Sequence, residues 1–194
     1  MPGTVSRPSD LREWSVARFL FSDARAAWLW LAVRLYVGYE WLTAGWEKIM
    51  DPKGLWVGDA AGTAVAGFAN GALAKATGAH PAVQDWYAGF LRDFVLPNPA
   101  LFAHLVAYGE VLVGIGLIVG ALTGVAAFFG ILMNANYLLA GTVSTNPILA
   151  FFAIFLILAW RNAGWIGVDR FLLPLLGTPW QPGRLLHRGV APAA

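Results

Sequence analysis

Residues 100–122 read ALFAHLVAYGEVLVGIGLIVGAL, and this stretch decides the fold. A hydrocarbon layer about 30 Å thick needs about 20 residues of helix, which rise ~1.5 Å each. The stretch meets that length with a single carboxylate, Glu110, near its middle. It therefore predicts a membrane-spanning helix that carries Glu110 into the bilayer.

Three further runs have the same character, at residues 26–46, 124–143 and 147–163. Arg34 and Glu40 interrupt the first of them. Asn98-Pro99 and Asn146-Pro147 each offer a helix cap followed by proline in the first turn. We predict an all-α, polytopic membrane protein whose single domain, residues 1–194, is a bundle of four transmembrane helices.

The composition also predicts a protein surrounded by lipid. The chain has 194 residues, of which 58% are hydrophobic and 12% charged, whereas soluble domains are about 25% charged. Thirteen Lys and Arg against eleven Asp and Glu is too even a balance for a nucleic-acid partner, so the expected partner is the lipid bilayer. The absence of cysteine excludes disulfides, thiolate catalysis and Cys-ligated iron–sulfur or zinc sites.

The distribution of positive charge predicts the orientation. Eight arginines flank the four helices at the two termini, and four cations are spread over the connection after the first helix. Because cytoplasmic segments are enriched in Lys and Arg, both termini are expected in the cytoplasm of a prokaryotic cell, with the protein in its cytoplasmic membrane. The terminal arginines are Arg7, Arg12, Arg18, Arg25, Arg161, Arg170, Arg184 and Arg188.

The segments between and beyond the helices are also patterned. Residues 9–22 have the apolar spacing of an amphipathic helix on the inner membrane surface. The outer loop, residues 47–99, is long and structured, with a second amphipathic helix near 83–95. Residues 164–194 are expected to form a cytoplasmic tail that begins with a third interfacial stretch.

Polar residues inside the predicted helices are the candidates for chemistry, because such groups usually face a bundle interior or a cavity. Counting ~1.5 Å per residue places Arg34, Glu110 and Asn134 at mid-membrane depth, with other polar groups in the outer half. The further candidates are Glu40, Trp41, His104, Tyr108 and Tyr137, with Glu47, Lys48 and Lys53 at the outer entrance.

Each of these residues also has a structural reading. Arg34 and Glu110 could pair only to orient two helices, and Asn134 could be a hydrogen bond between helices. A single His104 is more often an interfacial histidine than a ligand, and Trp41 fits helix packing or the aromatic belt. The residues alone leave both readings open.

The residue inventory excludes several classes of site. A bis-histidine haem needs two histidines in the membrane, and only His104 lies in a predicted span. No phosphate-binding loop, Ser-His-Asp set or metal-ligand cluster is visible, so we expect no haem, iron–sulfur cluster or metal. An arginine, carboxylates, amides and aromatic walls suit a non-covalently bound quinone.

The chain resembles the DoxX/DoxD membrane proteins over roughly residues 26–175. The resemblance rests on RLYVG at 34–38 with WLTAGWEK at 41–48, Gly109-Glu110 with the glycines that follow, MNAN at 133–136, GTVSTNP at 141–147 and AGWIGVDR at 163–170. The last two segments are most similar to the DoxD branch.

The resemblance implies a four-helix membrane subunit, in the DoxD branch part of a thiosulfate:quinone oxidoreductase. It also implies a partner, either a small second subunit or a soluble redox protein, and leaves a homo-oligomer open. Combining it with depth, we expect Glu110 to accept protons and Arg34 to be its charge partner or a donor to a quinone carbonyl. We expect Asn134 and Tyr137 to orient the quinone by hydrogen bonds. The alternatives are a non-catalytic scaffold for soluble redox-stress proteins and, less favoured, a small-solute binding or transport protein.

Overall fold

The computed structural model describes residues 14–178 and 181–185, with only the backbone described at 181 and 182. Within those ranges every regular element is helical apart from one short hairpin, which confirms the all-α class. The helices are α1 (Ser15–Ser22), α2 (Ala27–Ile49), α3 (Thr63–Ala74), α4 (Asp85–Phe90), α5 (Pro99–Val119), α6 (Thr123–Leu139), α7 (Asn146–Leu158) and α8 (Asp169–Leu176). Strands β1 (Gly177–Thr178) and β2 (Gln181–Pro182) pair antiparallel.

Four helices, α2, α5, α6 and α7, lie at the positions where spans are predicted. Among the described residues, α5 alone is both long and apolar enough to cross a membrane by length and composition. Helix α2 is longer but carries Arg34, Glu40, Glu47 and Lys48, whereas α6 and α7 are apolar but have 17 and 13 residues. The fourth predicted helix ends at Leu158 rather than 163, because turns follow it to the start of α8.

Helices α2, α5, α6 and α7 pack into one bundle, in which α2 makes its most extensive contact with α5. Glycine allows this close approach: a Cβ on Gly114 would lie 2.7 Å from the Cα of Leu42. We call the end of the bundle next to residues 50–98 the loop end, and the end formed by the α5–α6 turn at residues 120–122 the turn end. Helices α2 and α6 run toward the loop end, whereas α5 and α7 run away from it.

A side-chain amide fixes helix α1 to the turn end of the bundle. Asn162, 2% exposed, donates from Nδ2 to the carbonyls of Leu20 (2.9 Å) and Asp23 (2.7 Å). The indole N–H of Trp30 donates to the same Leu20 carbonyl at 2.7 Å. The sequence predicts this interfacial helix over residues 9–22, of which 9–13 lie outside the described residues.

The long connection folds over the loop end with a core of its own. Helix α4 continues as a π-helical turn, Leu91–Val95, where the sequence predicts one amphipathic helix near 83–95. Buried residues of this connection pack against Ala103 of α5 and against Ala140, which directly follows α6. They are Val65, Ala69, Ala72, Val83, Tyr87, Ala88, Leu91 and Val95.

Candidate functional site

Two hydrogen-bonded partners surround the carboxylate of Glu110, which is 1% exposed. The Lys48 ammonium donates to Oε2 at 2.6 Å, and the Tyr137 hydroxyl donates to Oε1 at 2.7 Å. Lys48 also donates to the carbonyl of Ala44 at 3.2 Å. Three helices, α2, α5 and α6, thus each supply one member of this Glu110 cluster.

The lean of helical side chains explains why these residues meet. Each Cα–Cβ bond tilts toward the N-terminus of its own helix. Lys48 and Tyr137 lie near the loop end of α2 and α6, so their side chains lean into the bundle. Glu110 lies in the middle of α5, which runs the other way, and its side chain leans toward the loop end. The sequence places Lys48 at the outer entrance, but the structure places its ammonium on the buried carboxylate.

The expected pairing of Arg34 with Glu110 is wrong. The Arg34 guanidinium is fully buried and donates to the carbonyls of Leu117 (2.9 Å) and Ile166 (2.7 Å) near the turn end. The reason is again the lean of the side chain: Arg34 lies in the first half of α2 and its long side chain extends back toward the helix start. Arg34 thus ties α5 to the segment before α8.

Asp169 completes the structure at the turn end. Its Oδ1 accepts from the backbone N–H of Leu122 (2.6 Å), and its Oδ2 accepts from that of Thr123 (2.9 Å). These N–H groups belong to the start of α6, where a carboxylate is favourable. The polar contacts at this end therefore fix helix ends.

A cavity of about 290 Å³ lies between α5, α6 and the helices of the long connection. Three residues bring polar groups to its wall: Tyr87, Asn136 and Tyr137. The Tyr87 hydroxyl donates to the backbone carbonyl of Asn136 at 3.0 Å, and burial raises the pKa of Tyr87 to about 12. The apolar wall includes Trp56, Phe68, Phe90, Phe102, Leu105 and Met133.

Tyr137 connects this cavity to the Glu110 cluster. Its ring lines the cavity and meets Phe68 edge-on at 5.9 Å, while its hydroxyl bonds Glu110. A second connection is Trp56, whose ring lies 5.1 Å from the Lys48 ammonium. The arrangement is an aromatic pocket with a buried, hydrogen-bonded carboxylate directly behind one wall.

Five of the other predicted residues lie away from this pocket. His104 bonds the carbonyl of Ala100 through Nδ1 at 2.7 Å and stacks on Tyr108, which is 46% exposed. Both residues therefore belong to the outward side of α5. Glu40, Glu47 and Lys53 line neither the cavity nor the Glu110 cluster.

Two more predicted residues, Trp41 and Asn134, are buried in the bundle but do not line the cavity. Sequence reasoning missed the cavity residues Trp56, Phe68 and Tyr87. Tyr87 belongs to the predicted apolar stripe of residues 83–95, which signalled a buried face without showing what covers it.

No group of three or more His, Cys, Asp or Glu side chains that could hold a metal ion occurs in the described part of the chain.

The comparisons with known proteins give one match. The profile of the DoxX family matches residues 29–142, which is more than half of the chain. Neither the curated proteins nor the solved structures gave a significant match.

Proposed function

The chain belongs to the DoxX family of membrane proteins, and we propose that it is the membrane subunit of a quinone-linked redox system, with the quinone ring in the aromatic cavity. The observation that supports this most is the double contact of Tyr137. It lines the cavity and also donates to the buried carboxylate of Glu110. A ligand ring in the cavity is therefore one side chain away from a proton-accepting group.

The chemistry of the walls suits a quinone headgroup. Small-molecule pockets are mostly apolar with a few placed polar groups, and this cavity has an aromatic wall with the hydroxyls of Tyr87 and Tyr137. A quinone presents a flat ring for stacking and two carbonyls that accept hydrogen bonds. Phe68 and Phe90 supply aromatic rings for stacking. The Tyr137 hydroxyl donates to Glu110 and would turn to donate its one proton to a quinone carbonyl when the ligand is bound.

In this proposal Glu110 and Lys48, which lie behind the Tyr137 wall of the cavity, transfer protons to the ligand. Reduction of a quinone to a quinol adds two electrons and two protons to the ring oxygens. Glu110 would take up each proton from solvent and pass it through the Tyr137 hydroxyl to a ring oxygen, and Lys48 would hold the negative charge of the carboxylate between transfers. The electrons come from a donor outside this chain. The resemblance of this chain to the DoxD branch favours thiosulfate as that donor. Two thiosulfate ions give up two electrons together as they join into tetrathionate.

We further propose that α2, α5, α6 and α7 all cross the membrane, with both termini in the cytoplasm. Large apolar side chains on α5, α6 and α7 point away from the bundle, among them Leu112 (68% exposed), Phe128 (53%) and Ile154 (50%). A belt of this kind is expected where lipid is the solvent. The Glu110 cluster and the cavity would then lie in the outer half of the membrane, beneath the folded connection.

Quinone binding to the protein in lipid nanodiscs tests the proposal. Tyr137→Phe removes the hydroxyl that the proposal places against a quinone carbonyl. A neutral hydrogen bond of this kind contributes about 0.5–1.5 kcal/mol, so we expect affinity for a short-chain quinone analogue to fall about two- to tenfold. Tyr108→Phe makes the same change on the outward side of α5 and is the matched control. Equal affinities for the two variants, or no binding by the unchanged protein, would refute the proposed site.

Turnover tests the electron donor separately. Thiosulfate-dependent reduction of the same analogue should be lost in Glu110→Gln, which keeps an acceptor for Tyr137 but cannot take up the proton. If the quinone binds and thiosulfate does not reduce it, the quinone site stands and thiosulfate is the wrong donor.

A further inference from the structure

Five buried side chains have a polar atom without a hydrogen-bond partner among the described residues: Arg34, Trp41, Thr123, Asn134 and Asn162. Arg34, Thr123 and Asn162 lie toward the turn end, whereas Trp41 and Asn134 lie further into the bundle. Trp41 is 3% exposed, and its indole Nε1 has no hydrogen-bond partner among the residues that the structure describes. Asn134 is fully buried, and neither its Nδ2 nor its Oδ1 has one. An unsatisfied buried polar group costs about 1–3 kcal/mol, and native proteins usually satisfy such groups with ordered water.

The two side chains face a common part of the core. A Cβ on Gly130 of α6 would lie 3.1 Å from Trp41 Nε1 and 3.4 Å from Val113 Cγ1, so the indole N–H faces α6 where that helix has no side chain. Asn134 follows Gly130 by one turn on the same side of α6, about 6 Å along the axis. Tyr137, which donates to Glu110, is three residues further along. Asn134 therefore lies between the level of Trp41 and that of Glu110.

We propose that Trp41 and Asn134 form a water-binding site in the bundle core, next to the Glu110 cluster. The donors are the indole N–H and the amide N–H₂, and the acceptor is the amide oxygen. Water, which donates and accepts, satisfies both kinds of group, and two to four polar partners are what a buried water requires. The existence of this water site does not depend on the proposed function. The role of the water as hydrogen-bonded solvent for Glu110 does rest on the proposed quinone chemistry.

The apolar packing separates this site from the turn end. Val37, Leu117 and Ala127 are all fully buried and occupy the bundle core between the level of Trp41 and that of Arg34. Because all three side chains are aliphatic, none of them can continue a chain of hydrogen bonds across this layer. Water held by Trp41 and Asn134 is accordingly placed to exchange on the side of Glu110.

Radiolytic hydroxyl-radical footprinting with mass spectrometry tests this site, because radicals formed from bound water oxidise the side chain beside it. The protein in lipid nanodiscs supplies its own control in Trp30, which is 4% exposed like Trp41 but donates its indole N–H to Leu20 at 2.7 Å. We expect oxidation of Trp41 to exceed that of Trp30 several-fold. In Asn134→Leu, which removes the amide with little change in volume, Trp41 should fall to the level of Trp30.

Equal oxidation of Trp41 and Trp30 in the unchanged protein would overturn the water site, and that comparison does not depend on a variant that folds. A Trp41 signal that is high in both the unchanged protein and Asn134→Leu would overturn the role of Asn134. The measurement uses neither quinone nor electron donor. Its failure is therefore distinguishable from failure of the proposed function.

Discussion

The contact between Lys48 and Glu110 gives a prediction whose size follows from its geometry. The two groups lie 2.6 Å apart, and their side chains are 18% and 2% exposed. Coulomb's law at an effective dielectric constant of about 20 gives about 6 kcal/mol for unit charges at that separation. The exposure of Lys48 lowers this value, while close charge pairs in other proteins couple by about 1.5–7 kcal/mol. We expect a coupling energy of about 2–5 kcal/mol.

The perturbation is a double-mutant cycle of Lys48→Met, Glu110→Gln and the two together. Lys48→Met leaves a carboxylate that is almost fully buried, so it should lower the free energy of unfolding by about 3–5 kcal/mol. Glu110→Gln should be milder, because the amide oxygen still accepts from Tyr137 and the Lys48 ammonium can turn toward solvent. The double variant should be more stable than the sum of the single effects implies.

The assay is reversible unfolding in mixed micelles near neutral pH, with the free energy of unfolding measured for all four proteins. A second cycle on Asp23 and Arg25 is the control. That pair is 2.7 Å apart, but the Arg25 side chain is 80% exposed, so solvent screens it and its coupling should be far smaller. A Lys48–Glu110 coupling below about 1 kcal/mol, the range of exposed pairs, would refute the buried ion pair. So would a larger loss in Glu110→Gln than in Lys48→Met.

Four further variants test other parts of the chain. Gly120→Ala should lower the free energy of unfolding by about 2–4 kcal/mol, because φ is +68° and the new methyl would overlap the Arg34 guanidinium. In the same unfolding assay Gly67→Ala, in open space on α3, should raise it by about 0.5–1 kcal/mol. Asp169→Asn should cost about 1–2 kcal/mol, because one amide oxygen replaces two carboxylate oxygens at the start of α6; an unchanged unfolding midpoint would contradict the cap. Burial raises the pKa of Tyr87 to about 12, so the stability it contributes is present below the ordinary value of about 10 and is lost as pH rises from there through 12. Tyr87→Phe should remove one late-titrating tyrosinate from an absorbance titration and lessen the alkaline loss of stability.

Much of the fold can be predicted from patterns of neighbouring residues in the sequence. Runs of apolar residues indicate where α5 and α6 lie, and the Asn-Pro pairs mark the starts of α5 and α7 because proline is tolerated in the first turn of a helix. The predicted capping is wrong, since neither asparagine side chain caps its helix: the amides of Asn98 and Asn146 donate to the carbonyls of Phe94 and Thr142. The end of α7 is different. It stops at Leu158, before the apolar run does, where Asn162 bonds the carbonyls of Leu20 and Asp23. Contacts with residues over a hundred positions away are not visible in a local pattern.

The candidate site was only partly predictable for a related reason. The depth of each residue, counted along its predicted helix, singles out Glu110 and Tyr137 from the sequence. The cavity wall also needs Phe68 and Tyr87, which belong to the long connection. Tyr87 lies in the predicted amphipathic helix near residues 83–95, whereas Phe68 lies elsewhere in the loop, where no amphipathic helix is predicted. Which helix covers which stripe depends on how the connection folds back, and the spacing of residues within a stripe carries no record of that.

The choice of partner for each cation follows from one geometric fact that depth alone omits. Arg34 and Lys48 lie on the same helix, and both side chains lean toward its N-terminus. For Arg34, near that terminus, the lean carries the guanidinium to the carbonyls of the turn end. For Lys48, near the other terminus, the same lean carries the ammonium into the bundle, where Glu110 on antiparallel α5 leans to meet it. A polar centre built this way forms in the half of the bundle under the folded connection. The aromatic residues of that connection can then close a pocket over it.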